Sequence, residues 1–122
     1  MIIGIGTDIV EIERVRRAVE REHFLRRVFT ETEINYCQSR GINSAASYAA
    51  RFAAKEAFFK ALGTGIVTAL KSVEIRNDKR GKPEIFIEGE TKILADEKSV
   101  KEIFLSLSHS REYATAVVVL AK

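Results

Sequence analysis

A single cysteine, Cys37, serves the whole chain, so no internal disulfide can form and no thiolate cluster can hold zinc. A lone cysteine of this kind is expected to pack as a small residue on a helix. No apolar run approaches the roughly 18–20 residues that a membrane-spanning helix requires. The opening stretch MIIGIGTDIV lacks a basic leader and is interrupted by Asp8, so it does not read as a secretion signal. Repeats, low-complexity tracts and linkers are missing as well. These absences point to a cytoplasmic protein with one domain over residues 1–122. Its 46% hydrophobic and 30% charged residues are those of an ordinary globular chain. A domain this small buries about two-thirds of its unfolded surface, so a subunit interface would add useful burial.

Excess charge is modest, +3 at neutral pH, which argues against nucleic acid unless the cations are gathered on one surface. They are partly gathered. Arg14, Arg16, Arg17, Arg21, Arg26 and Arg27 stand against only Glu20 and Glu22 in that stretch, and this suggests an acidic partner. The aromatics (seven Phe, three Tyr and no Trp) fall mostly at core spacing on helices and do not interleave with arginine as in a single-strand platform.

The β-branched residues of Met1–Val10 predict a strand in which Gly4 and Gly6 allow another backbone to approach closely. Ile12, Val15 and Val19 predict a helix from Glu11 to about Glu22, with Arg14, Arg17 and Arg21 on another face. Thr30 with Glu33 forms a capping-box signature for a short helix ending near Ser39. Ser44 is expected to cap the longest helix, AASYAARFAAKEAFFKAL, which stops at Gly63. Strands are expected at 72–77 and 83–88 around the turn Asp78–Gly81, then a short helix at 90–97, then strands at 103–109 and 113–120. The order β-α-α-α-β-β-α-β-β predicts an α+β fold, a mainly antiparallel sheet packed against helices with one long central helix.

Three places break these patterns. Asp8 sits inside an otherwise apolar strand, where aspartate is disfavoured. It could simply end the strand and cap the next helix. Glu56 interrupts a stripe formed by Phe52, Ala53 and Phe59, and a buried carboxylate needs a cation nearby. Lys60, four residues on, could supply it through a helix ion pair. A magnesium ion shared with Asp8 is the other possibility, since magnesium accepts one or two carboxylates plus water and phosphate. Lys60–Gly65 then combines one mobile cation with two glycines, Gly63 as a helix cap and Gly65 as a second point of close approach. His109 closes the row Ile103–Leu105–Leu107, where a hydrogen-bonded core histidine is the ordinary outcome, and no serine-histidine-acid arrangement is visible.

Three segments together resemble the acyl-carrier-protein synthase branch of the 4′-phosphopantetheinyl transferase superfamily: Gly4–Ile12, Arg51–Ala57 with Lys60–Gly65, and Ser106–Ser110. The first two match in order and spacing; the third is looser. The resemblance spans essentially the whole chain and implies the phosphopantetheinyl transferase fold. It implies an enzyme that moves the 4′-phosphopantetheine group from coenzyme A to a serine of apo-acyl-carrier protein, leaving adenosine 3′,5′-bisphosphate and supporting fatty acid biosynthesis. By the same resemblance, Asp8 and Glu56 bind magnesium, and Glu56 and Lys60 are catalytic. Arg51, Lys60, Gly63, Gly65 and His109 lie along coenzyme A. Glu56, or a water on the ion, takes the serine proton. Arg14, Arg17 and Arg21 would meet the acidic carrier protein. The family further implies a homotrimer with active sites between subunits, and a polyketide or peptide carrier stays open as an alternative substrate.

Overall fold

The computed structural model describes residues 1–122. Strand β1 (Ile2–Glu11) leads into helices α1 (Ile12–Val19), α2 (Glu22–Val28) and α3 (Glu31–Gln38). A 3₁₀ turn at Gly41–Asn43 precedes the long helix α4 (Ser44–Leu62). Strands β2 (Val73–Asn77) and β3 (Pro83–Ile87), helix α5 (Gly89–Glu97), and strands β4 (Glu102–His109) and β5 (Tyr113–Ala121) complete the chain.

The fold is α+β with antiparallel pairing throughout, but the strands form two sheets where one was expected. β5 lies in the centre of a three-stranded sheet between β1 and β4, while β2 and β3 form a hairpin of their own. β3 packs beside β4 without joining its ladder.

The expected helix over 11–22 is also corrected. It ends at Val19, Arg21 is extended at φ −89° and ψ 116°, and a separate helix begins at Glu22. The cause is visible in the apolar spacing. Val15 is buried on α1 and Leu25 and Val28 on α2, and a continuous helix through Val15 and Val19 would instead turn Glu22 and Arg26 inward. Breaking the helix lets both apolar faces reach one cluster with Phe29, Ile34, Cys37 and Tyr48.

At α3 the capping box forms as expected: Thr30 Oγ1 accepts from the Glu33 amide at 3.2 Å, and the Glu33 carboxylate accepts from the Thr30 amide at 2.9 Å. Ser44, by contrast, is not a cap. The 3₁₀ turn before it already runs in a helical sense, so Asn43 takes the N-cap position of α4 and makes no side-chain cap. Gly63 ends α4 in the left-handed conformation, φ +80°.

α4 lies across the inner face of the three-stranded sheet. Ala53, Ala57, Phe58, Ala61 and Leu62 pack with Ala116, Val118 and Leu120 of β5 and with Val73 and Ile75 of the hairpin. Two of the inward positions on β1, 4 and 6, are glycines. A Cβ at Gly4 would stand 2.0 Å from the Ala61 carbonyl oxygen, and one at Gly6 would stand 2.1 Å from that of Ala57. Two strand residues advance about 6.6 Å and four helix residues about 6 Å, so the two backbones stay in step. Continued by the same step, this contact carries Asp8 to the level of the turn that bears Glu56.

Candidate active site

Asp8 faces inward opposite Ala116, while its neighbours Thr7 and Ile9 are exposed. Strand alternation therefore aims the one polar side chain of that row at α4. Its Oδ1 accepts a hydrogen bond from Lys60 Nζ at 2.9 Å, and the same ammonium donates to the Thr7 carbonyl at 3.1 Å. Asp8 Oδ2 is buried without any partner. The Glu56–Lys60 helix pair that their spacing allows is not formed. Lys60 prefers Asp8, whose side chain is only 13% exposed and which brings a second acceptor, the Thr7 carbonyl, with it.

Glu56 is half-buried beside them. Burial, and after it the Asp8 charge, push its carboxyl above the usual carboxylate range, against the pull of Lys60 and Arg14. No third carboxylate, histidine or cysteine completes a metal cage. The donor set still fits magnesium, which takes one or two carboxylates and draws its remaining ligands from water and phosphate. The unpartnered buried oxygen of Asp8 is the atom most in need of such a cation.

Asp8 and Glu56 lie on a groove of about 710 Å³ that Arg14, Arg17 and Arg21 also line. Phe24, Phe52 and Val15 give it an apolar wall. Arg17 approaches Glu13 at 3.5 Å, but Arg16 holds the same carboxylate at 2.7 Å. Arg14 and Arg21 have no acidic partner, and Arg21 stands in the break between α1 and α2 rather than on one continuous helical face.

Arg51 and His109 are brought together elsewhere, on a second cavity of about 510 Å³ that also holds Tyr36, Arg40 and Asn77. His109 is exposed there and is not the core histidine its row suggested. Arg51 is buried, stacked over Tyr36 with its guanidinium carbon 4.3 Å from the ring centre, and bonded to Asn77 Oδ1. Its Nε has no partner. Gly63 and Gly65 have φ of +80° and +69°, with open space where a side chain would stand. They are exposed and follow directly on the end of α4.

Sequence reasoning missed the residue next to Glu56. Lys55 is wholly buried and bonds Glu33 Oε1 at 2.9 Å, the Val73 carbonyl at 2.6 Å and the Leu70 carbonyl at 3.1 Å. Glu33 also accepts from the Ile75 amide at 2.8 Å. The signal existed: Lys55 sits among Phe52, Ala53, Ala54, Phe58 and Phe59 with no acid within a helical turn except Glu56. Phe24, Tyr36 and Asn77 carried no such signal, because their places depend on how the helices cross.

Fold and site define a group-transferring enzyme: residues 4–118 match the family described as the 4′-phosphopantetheinyl transferase superfamily. The chain is 46% identical to the holo-[acyl-carrier-protein] synthase of Fusobacterium nucleatum, over 98% of this chain and 99% of that one. The crystal structure of the Neisseria meningitidis holo-[acyl-carrier-protein] synthase superposes with a TM-score of 0.91 at 36% identity and covers 100% of both chains. That of the Bacillus anthracis synthase, in complex with CoA (3′,5′-ADP), gives 0.81 at 41% identity, covering 98% of this chain and 96% of that one. The chain belongs to the 4′-phosphopantetheinyl transferase superfamily and, within it, to the holo-acyl-carrier-protein synthases.

Proposed function

We propose that the chain transfers 4′-phosphopantetheine from coenzyme A to a serine of an apo-acyl-carrier protein of fatty acid biosynthesis, with adenosine 3′,5′-bisphosphate leaving, in a magnesium-dependent reaction. The observation that carries the metal site is the buried, unpartnered Oδ2 of Asp8 beside Glu56. Asp8 and Glu56 would hold the magnesium, which supplies positive charge against the pyrophosphate of coenzyme A. The serine oxygen attacks the β-phosphorus, the bond from that phosphorus to the bridging oxygen breaks, and the hydroxyl proton passes to the Glu56 carboxylate. Lys60 brings a second cation to the phosphates, and most of the acceleration is positioning and charge neutralisation.

The open backbone at Gly63 and Gly65 lets the phosphates approach the end of α4. Arg51, with a buried N–H lacking an acceptor, and His109 form the cationic cavity for the nucleotide end. Coenzyme A in the Bacillus anthracis relative supports this assignment of substrate. Arg14, Arg17 and Arg21, on the same groove as the carboxylates, receive the acidic carrier protein.

The two cavities share no lining residue. A homotrimer in which one subunit's carboxylate groove meets its neighbour's nucleotide cavity would join them. The outer sheet face supports that assembly: Ile5, Ile9, Phe104 and Val117 are 68%, 62%, 50% and 39% exposed.

Incubation with apo-carrier protein, coenzyme A and magnesium, followed by mass spectrometry of the carrier, tests the reading. The carrier should gain one phosphopantetheine, and Asp8→Ala or Glu56→Ala should prevent the gain while circular dichroism stays unchanged. Turnover near wild type with magnesium in either variant overturns the shared metal site.

A further inference from the structure

The Lys60 ammonium does more than stand near the phosphate site. It is bonded to Asp8 Oδ1 and to the Thr7 carbonyl, reaching across to a residue 52 positions away in the chain. Oδ1 is one of the two oxygens through which Asp8 can meet a cation, and Oδ2 has no partner. An ammonium on Oδ1 and a divalent ion on the same carboxylate repel one another at a few ångströms, in a site where Asp8 is screened from water. Lys60 itself is 55% exposed on a flexible stem, and its positive head is free to turn toward solvent.

We propose that Lys60 is a displaceable stand-in for the metal at Asp8, and that the phosphates of coenzyme A draw it away, so that this one side chain adds to the cooperativity between metal and coenzyme A. The inference rests on the two-carboxylate metal site proposed above. With Lys60 on Asp8 the metal binds weakly. With Lys60 on a phosphate, Asp8 is released to the metal and the added charge on the nucleotide side is balanced. Linkage makes the effect mutual: the factor by which coenzyme A tightens the metal equals the factor by which the metal tightens coenzyme A.

The test is calorimetric titration of Mn²⁺ into chelator-stripped protein, with and without saturating coenzyme A, for wild type, Lys60→Met and Asp8→Asn. Because Lys60 is half-exposed, the Met variant should keep its circular dichroism spectrum. Without coenzyme A, Lys60→Met should bind Mn²⁺ on the order of tenfold tighter than wild type. With coenzyme A that advantage should vanish, since wild-type Lys60 has then already left Asp8. Equal tightening in both arms would mean a charge acting through space and overturns displacement. No tightening in either arm overturns the stand-in, while loss of Mn²⁺ binding in Asp8→Asn keeps the metal site itself intact. Wild-type affinity in Asp8→Asn, or no binding in any variant, brings down the metal site and this inference with it.

Discussion

Lys55 and Glu33 meet at 2.9 Å with neither side chain exposed to solvent, and together they satisfy the amides of Thr30 and Ile75 and the carbonyls of Leu70 and Val73. The pair ties α3, α4 and β2 to one another one residue away from Glu56. Desolvation holds the Lys55 ammonium below the usual lysine range, and the Glu33 charge opposes that loss. Removing the cation alone would strand a buried carboxylate. Lys55→Met should therefore cost about 3–5 kcal/mol in urea unfolding. Glu33→Gln added to it should recover part of that, because the neutral amide oxygen still accepts from Ile75. Equal losses in the single and double variants would show that packing, not charge, dominates.

Gly6→Ala should destabilise by about 1–3 kcal/mol, since the new methyl group meets a main-chain oxygen with no flexible side chain to yield. The strand must lift from α4, so transfer activity should fall more than stability accounts for. Activity equal to wild type at a temperature where the variant is fully folded would separate the close approach from the site's geometry.

Glu56→Gln in chelator-treated protein should melt higher than wild type near neutral pH. The sign follows from the raised carboxyl. An acid whose folded pKa lies above its unfolded value contributes stability that is complete below the unfolded pKa, and that contribution is lost as pH rises through the folded one. The amide imitates the protonated form at every pH. The gap between the two melting curves should therefore close as pH falls below the ordinary carboxylate range. A gap that is constant with pH would exclude an ionisation effect.

Charge reversal at Arg14 and Arg21 together should raise KM for carrier protein several-fold and flatten its salt dependence, with KM for coenzyme A unchanged. Exposed charges mainly steer encounter and are screened by salt. These two have no acidic partner to lose. Arg26, held by Glu22 at 2.8 Å and Glu31 at 2.6 Å, serves as the comparison, and its reversal should leave both constants alone. Constants unmoved by the double reversal would take this groove out of carrier recognition.

Much of this was legible in the chain because each local signal had a local cause. Asp8 and Glu56 stood out as acids in apolar company, and Gly4 and Gly6 marked the strand that carries Asp8 as one another backbone could approach. The capping box at Thr30 and the left-handed Gly63 obey rules that operate over a few residues. The break at Arg21 was within reach, since the apolar spacing slips between Val19 and Leu25, but charged residues there blurred it. The division of the strands into two sheets was not. Alternation shows that a strand has two faces and says nothing about which neighbour its edges find. The partner of Lys60 was hidden for a related reason: an ion pair four residues apart and one reaching across to another element look alike until α4 is laid on β1.

That laying-down is done by main chain against main chain. At Gly4 and Gly6 nothing lies between the strand and the carbonyls of Ala61 and Ala57, so the gap between Asp8 and Glu56 is gauged by the thickness of two backbones and not by the side chains that fill the core. Descendants of this sequence can hand down that spacing only while positions 4 and 6 carry no more than a hydrogen atom.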